Sequence, residues 1–327
     1  MPFQKQVNTY QAPANLGAIA SMNPLSTVAA GPGGLVAGAA GVLVGRFAWN
    51  TYPVAGGPGL AQNMCPISDT EAPRVPDGFI CNQQQGLITL WLGSESLGVP
   101  HGVMVTEHDR GDFWAQSTMS EAIIGNKVFA NLITGQALAA AAGSTPASYS
   151  GTPAVIKGTV ASLTNFTMTI TEVTSGVVAP GQLVVGENIP QGTYISSLGT
   201  STGGTGTVFL TRNATKLFTA QDLTTSVPEA YGAFDGTASF ATDVMTVTAV
   251  QSGAAVAGQL VTSANVAAGT YIVAQLTGTP GGAGTYQLST EPGTITAQDV
   301  KATSWIETDW YVKSAGNVMD LIKIGLK

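Results

Sequence analysis

Two stretches decide the fold: Met168-Thr-Ile-Thr-Glu-Val173 and Met245-Thr-Val-Thr-Ala-Val250. In each, apolar side chains alternate with threonines, the period of two that turns one face of a strand inward and the other outward. A duplication extends from them. Gly181-Gln-Leu-Val184 recurs as Gly258-Gln-Leu-Val261, and Gly192-Thr-Tyr-Ile195 as Gly269-Thr-Tyr-Ile272. Gly203-Gly-Thr-Gly-Thr207 recurs as Gly281-Gly-Ala-Gly-Thr285, and Thr219-Ala-Gln-Asp222 as Thr296-Ala-Gln-Asp299. The period is about 77 residues, counted from Met168 to Met245. Val208-Phe-Leu-Thr211 and Tyr286-Gln-Leu-Ser289 add a later strand, preceded in both copies by glycine turn chemistry. Each copy therefore reads as a small antiparallel β-sandwich or roll. Threonine and valine dominate because β-branched side chains suit a pleated surface.

Two copies are too few for a solenoid, which needs about three or more units. Thr224 to Gly236, holding Val227-Pro-Glu-Ala-Tyr231, reads as a short Pro-containing linker between them. Beyond Val300 the chain returns to aromatic, strand-like composition in Trp305-Ile-Glu-Thr-Asp-Trp-Tyr-Val312 and Leu321-Ile-Lys-Ile324. The simplest organisation is a base domain, residues 1–157, completed by residues 301–327. Residues 158–235 (first repeat with linker) and 236–300 (second repeat) are then inserted in one of its loops, as exposed loops tolerate. The repeats read either as display or adhesive modules or as spacers that bind nothing.

Composition narrows the function. Only 9% of the 327 residues are charged, against about 25% in a typical soluble domain, and 41 are glycine. Coiled coil, collagen and acidic disordered tail are excluded; an all-β, turn-rich chain remains. The net charge of −7 and the scattered Lys5, Arg46, Arg74, Arg110 and Lys127 form no basic stripe, so no direct nucleic-acid contact is expected. The uncharged stretch Ala14 to Gly45 is broken by prolines, glycines and Asn23, so no membrane span is expected. The opening residues lack a basic head and apolar run, which points to synthesis in a cytoplasm. There Cys65 and Cys81 are expected as reduced thiols; an oxidising compartment leaves a bridge open.

Candidate sites are few. Glu107-His-Asp-Arg-Gly-Asp112 is the densest polar cluster, and with His101 it raises a His/carboxylate metal site, but the spacing suits a solvated turn before Phe113-Trp114 better. Arg110-Gly-Asp112, an integrin-ligand tripeptide, reads as the same turn. Asn165-Phe-Thr and Asn213-Ala-Thr are glycosylation patterns only in a secreted eukaryotic setting. Gly31-Pro-Gly-Gly34 and Gly56-Gly-Pro-Gly59 lack the phosphate-loop pattern and read as turns. Ser94-Glu-Ser96-Leu-Gly98 is not a nucleophile elbow, and no carboxylate pair stands out for glycoside hydrolysis. No catalytic, cofactor-binding or metal-ligating residue is assigned, and an enzyme is not expected.

Several base motifs occur in a telling order: Gly45-Arg-Phe-Ala-Trp49, Pro76-Asp-Gly-Phe-Ile80, Gln83-Gln-Gln-Gly-Leu-Ile-Thr-Leu90, Val99-Pro-His-Gly-Val-Met-Val-Thr106, Gly111-Asp-Phe-Trp114, Gly125-Asn-Lys-Val-Phe-Ala130 and Trp310-Tyr-Val-Lys-Ser-Ala-Gly316. Together they resemble the structural cement (head decoration) proteins of tailed bacteriophages, over roughly residues 1–135 and 303–327. The tandem repeats are similar to modules of phage virion proteins, while the cement family lacks this duplicated insert.

The resemblance implies a jelly-roll-like β base that binds the outer surface of an assembled capsid. It implies the major capsid protein as partner, a homo-oligomer (a dimer foremost), and stabilisation of a DNA-filled head. The expected location is the virion surface, after synthesis in the bacterial cytoplasm. The acidic composition suits the outside of such a shell. Residues Met1 to Pro24 suggest a capsid-contacting arm by their near lack of charge and of regular period. The alternative is a phage or bacterial surface adhesin binding glycans through the repeats. For that reading, Tyr231 and Phe234 are the better candidates for exposure, while most of the others (Phe166, Tyr194, Phe209, Phe218, Phe240, Tyr271 and Tyr286) lie in strand blocks, where core packing is expected. A secreted hydrolase finds no support in the residues.

Overall fold

The computed structural model describes residues 15–67, 71–84, 97–117, 121–144, 154–163, 166–178, 182–189, 193, 195–210, 213–214, 216–226, 233–317 and 320–326. Among them there is no helix, and the chain is all-β with a β-sandwich, jelly-roll-like architecture.

Two sheets form the base. The first runs β1 (Ser26–Thr27), β8 (Glu107–Arg110), β6 (Gly78–Ile80), β4 (Phe47–Thr51), β5 (Gly59–Gln62) and β2 (Leu35–Ala37). Its β2–β5 pair is parallel and the others antiparallel. The second is antiparallel: β11 (Ala137–Ala140), β10 (Lys127–Asn131), β24 (Trp305–Val312), β25 (Leu321–Leu326) and β9 (Asp112–Gln116). A short ribbon joins β3 (Val42–Leu43) to β7 (Gly98–Val99). The chain leaves the second sheet after β11 and returns as β24 and β25, which fill its middle.

Alternation explains the packing. Phe47, Trp49 and Phe79 point between the sheets and meet Phe113, Val128, Trp310, Ile322 and Ile324. Ring centroids lie 5.3 Å apart for Phe47–Phe79 and 5.8 Å for both Phe47–Trp310 and Phe113–Trp310. Ala48 and Ile80, one residue out of phase, pack on the opposite face with Leu35, Val42, Val44 and Val99. The first sheet is thus buried on both faces.

The first repeat contains β12 (Ala154–Val160), β13 (Thr167–Ser175), β14 (Leu183–Val185), β15 (Ile195–Leu198), β16 (Gly206–Leu210) and β17 (Phe218–Ser226). The second contains β18 (Ala233–Ala241), β19 (Val244–Gly253), β20 (Leu260–Ser263), β21 (Ile272–Gly278), β22 (Gly284–Leu288) and β23 (Ile295–Thr303). Their spatial orders, β14-β17-β12-β13-β16-β15 and β20-β23-β18-β19-β22-β21, are the same arrangement twice. Each sheet rolls until its end strands meet. Val184 N–H donates to Thr193 O (2.8 Å) and Ile195 N–H to Gln182 O (2.9 Å); Val261 to Thr270 (2.8 Å) and Ile272 to Gln259 (3.0 Å) repeat the seam. Gly-Gln-Leu-Val and Gly-Thr-Tyr-Ile recur together because they are the two sides of that seam.

The domain boundaries expected at 157/158, 235/236 and 300/301 each fall inside a strand: β12, β18 and β23. The stretch 224–236 is likewise mostly strand, with only 227–232 between β17 and β18. First strands escaped the repeat reading because their spacing differs. Val160 stands opposite Phe218 and Phe240 opposite Ile295, so these strands are 80 positions apart while their partners are 77 apart. The cause is the hairpin: residues 161–166 connect β12 to β13, and Thr242–Asp243 alone connect β18 to β19.

The three units meet at a small apolar junction, and Leu260 of the second repeat also packs against the base core. Ile133, from the β10–β11 turn, packs with Leu183 and Val185 of the first repeat and Ala254 and Val256 of the second.

Candidate functional site

The polar run Glu107–Asp112 is not a solvated turn. Residues 107–110 form β8, held between β1 and β6, and both Glu107 and His108 are buried. Alternation sends their side chains to opposite faces. The His108 ring lies 5.2 Å from that of Phe113, its Nδ1 is 3.2 Å from Ser26 O, and burial lowers its pKa from the ordinary value. Glu107 faces the other way, where Asn50 Nδ2 donates to its Oε2 at 2.6 Å. Burial raises the Glu107 pKa to about 8, with Asp77 adding to the rise and the Asn50 hydrogen bond, the Arg74 charge and the Gly78 backbone hydrogen bond opposing it.

Around this carboxyl a network straps the segment preceding β6 to β4. Asn50 N–H donates to Asp77 Oδ2 (2.7 Å), Arg74 Nη1 donates to the same oxygen (2.7 Å), and Arg74 Nη2 donates to Asn50 O (2.7 Å). Trp49 Nε1 donates to Arg74 O at 2.7 Å. The sequence shows these residues scattered; only the β4–β6–β8 pairing brings them together.

His101 stands exposed in a turn, whereas His108 is in the core, so the two histidines do not face a common site. Among the described residues no three His, Cys, Asp or Glu side chains are placed to hold a metal ion. Of the Arg-Gly-Asp tripeptide, Arg110 is exposed, but Asp112 is buried and takes hydrogen bonds from Ser21 Oγ (2.7 Å) and Asn23 Nδ2 (2.5 Å). That aspartate fastens the N-terminal stretch to β9. Ile19 bridges Phe113 there, and Gly17 N–H donates to Trp114 O at 2.8 Å. Of the expected arm, residues 15–24 are therefore laid along β9, and residues 1–14 lie outside the described residues. Asn213 accepts a hydrogen bond from Phe166 N (2.9 Å), a loop-bracing role; Asn165, Ser94 and Ser96 lie outside the described residues.

The two glycine-rich turns pack on one another. A Cβ at Gly33 would lie 2.4 Å from the backbone of Gly57 and Pro58, so only glycine allows the approach. Cys65 and Cys81 are free, buried thiols; burial pushes Cys65 up to about 11 and raises Cys81 as well, which makes both poor nucleophiles.

Aromatic exposure is the reverse of expectation for Phe234, which is buried because it opens β18 on the inward face. Tyr231 and Tyr194 lie outside the described residues. Among the described aromatics of the repeats, the exposed rings are Phe166 (45%) and Phe209 (42%), both on the first repeat. A cleft of about 530 Å³ lies where Ile133 of the base meets both repeats. Its walls include Leu183, Ile189, Val256 and Leu276, with Glu187 and Lys216 the charged residues among its lining.

Residues 3–155 match the family described as XM1 gp53 minor capsid protein, which supports a phage capsid-associated structural protein. The matched segment ends just after the first repeat begins, at β12. No curated protein matches the chain.

Proposed function

We infer that this is a non-enzymatic virion protein whose base binds the outer surface of a phage capsid and bridges neighbouring major capsid protein subunits, as a homo-oligomer with the dimer favoured. The observation that carries this reading is the minor-capsid match, which covers the base up to the start of β12, without β24 and β25, and leaves nearly all of the repeats outside it. Cementing needs no chemistry. It needs complementary surface on two neighbours, each interface of ordinary size, about 800 Å² per partner. Bridging makes the second contact intramolecular, so avidity exceeds either single affinity by about 10²–10⁴. With 9% charged residues, the contact is expected to depend weakly on salt.

Projection of the repeats away from the shell is supported by their connectivity. Each enters and leaves through β12 and β17, or β18 and β23, and these strands' opposite ends carry the hairpins at 161–166 and 242–243. The test is co-sedimentation with undecorated capsids, using the full chain and a variant lacking residues 154–303. Saturable binding by both is expected. If the full chain stays in the supernatant at every concentration, the capsid reading fails.

One observation favours a second reading, glycan binding by the first repeat: the exposed Phe166 and Phe209 offer ring faces of the kind that stack on sugars. A glycan array with the full chain and with Phe166→Ala separates it from the first.

A further inference from the structure

We propose that Glu107 and Asn50 form a proton-dependent latch that closes β8 onto β4 and tightens the base only while Glu107 is the neutral acid. The geometry of the group carries this. An ionised carboxylate offers about four lone-pair sites for donors. Here Asn50 Nδ2 reaches Oε2 and the Gly78 N–H adds a weaker backbone contact, while Oε1 is buried with no hydrogen-bond partner, as is Asn50 Oδ1. The enclosure is tight: a Cβ at Gly78 would lie 2.7 Å from Glu107 Cγ and 2.6 Å from His108 O. Glycine makes the space for this side chain and leaves none beside it.

The surrounding charges do not rescue an ionised Glu107. From the segment before β6 come Asp77, a like charge, and Arg74, which favours the carboxylate but is shared with Asp77 and Asn50 O, so burial outweighs it. The neighbouring strands β1, β4 and β6 bring no titratable side chain. On β8 itself, Asp109 is half-buried with Oδ1 unpartnered, and His108 is on the far face against Phe113. Asn50 ties the latch to the Arg74–Asp77 strap and, through Trp49, to the core; its Nδ2 contact survives ionisation, and what the proton adds is a donor between two otherwise orphaned acceptors, Glu107 Oε1 and Asn50 Oδ1, so its loss leaves both unpaired inside one connected network.

The sign follows from the raised folded-state value of about 8 against an ordinary 4.5. Between these values the folded chain keeps a proton that the unfolded chain has released. Stability is therefore fullest below the unfolded value, falls as pH rises, and levels off above the folded value. His108, with its lowered value, works in the opposite sense and only below about 6.5.

The test is denaturant unfolding of the full chain from pH 6.5 to 9.5, followed by tryptophan fluorescence. All five tryptophans lie outside the repeats, so the signal reports the base. The folding equilibrium constant is expected to fall about tenfold per pH unit from 6.5 to 8 and then to flatten. Glu107→Gln, which keeps a neutral amide there, is expected to remove that slope. A flat wild-type profile, or an unchanged slope in E107Q, overturns the latch. Infrared titration of the wild-type chain needs no variant: a protonated carboxyl band at pH 6.5 that vanishes through pH 8 supports it, and absence of the band at pH 6.5 overturns it.

Discussion

The two repeats share strand order, seam and core, yet they differ at their surfaces. Both wrap an inward methionine, Met168 opposite Val208 and Met245 opposite Tyr286. In both, the glutamine of Gly-Gln-Leu-Val donates to the carbonyl five residues earlier, Gln182 to Val177 and Gln259 to Ala254, each at 3.0 Å. Outside, the first repeat exposes Leu163, Phe166, Phe209 and Leu217 toward its hairpin end. The second has Gln287 in the place of Phe209, Thr294 in the place of Leu217 and a two-residue turn in the place of the longer hairpin. The second repeat thus shows that the roll closes with polar residues at these positions. At the other end the contrast reverses: Val177 is exposed, while Ala254 is buried in the junction. One repeat carries its apolar surplus outward, the other spends it against the base.

Breaking this equivalence begins in the core. Met168→Ala and Met245→Ala are each expected to cost about 2–5 kcal/mol, read as lost amide protection confined to the altered repeat. Protection lost from both repeats in either variant would mean that they do not behave as separate units. At the seam, Gln259→Ala is expected to cost about 1–3 kcal/mol, because it strands the buried Val256 N–H and Ala254 O. Gln182 is less buried, so Gln182→Ala is expected to cost less, and denaturant midpoints of the pair decide it. The smallest effect is expected for Phe209→Gln, which copies the second repeat: within about 0.5 kcal/mol by thermal melting. A larger loss would make Phe209 a packing residue and remove one of the two exposed rings from the glycan reading.

Much of this was legible in the chain. Alternation in Met168–Val173 and Met245–Val250 marks strands, and recurring blocks mark a duplicated unit, because a strand's inward face needs apolar residues at every second position. The candidate site was less legible. Glu107 looked like part of a solvated turn, since five polar residues in six is turn-like composition and nothing local says that β1 and β6 will flank it. Phe234 looked exposed because a proline-containing stretch precedes it; its burial comes from pairing with Ala302 on β23, nearly seventy residues away.

The sequence by itself determined that the chain is all-β, that it is built on a duplication, and that its surface is hydroxyl-rich and weakly charged. These are properties of composition and of short-range period, which neighbouring residues carry. Tertiary structure alone decided that each repeat closes on itself, that β24 and β25 fill the middle of the second base sheet, and that Asn50, Arg74, Asp77 and Glu107 share one network running from the half-exposed Arg74–Asp77 pair to the buried Glu107. Those are consequences of which strand edges find each other, and backbone hydrogen bonds between distant strands leave little mark in the order of side chains.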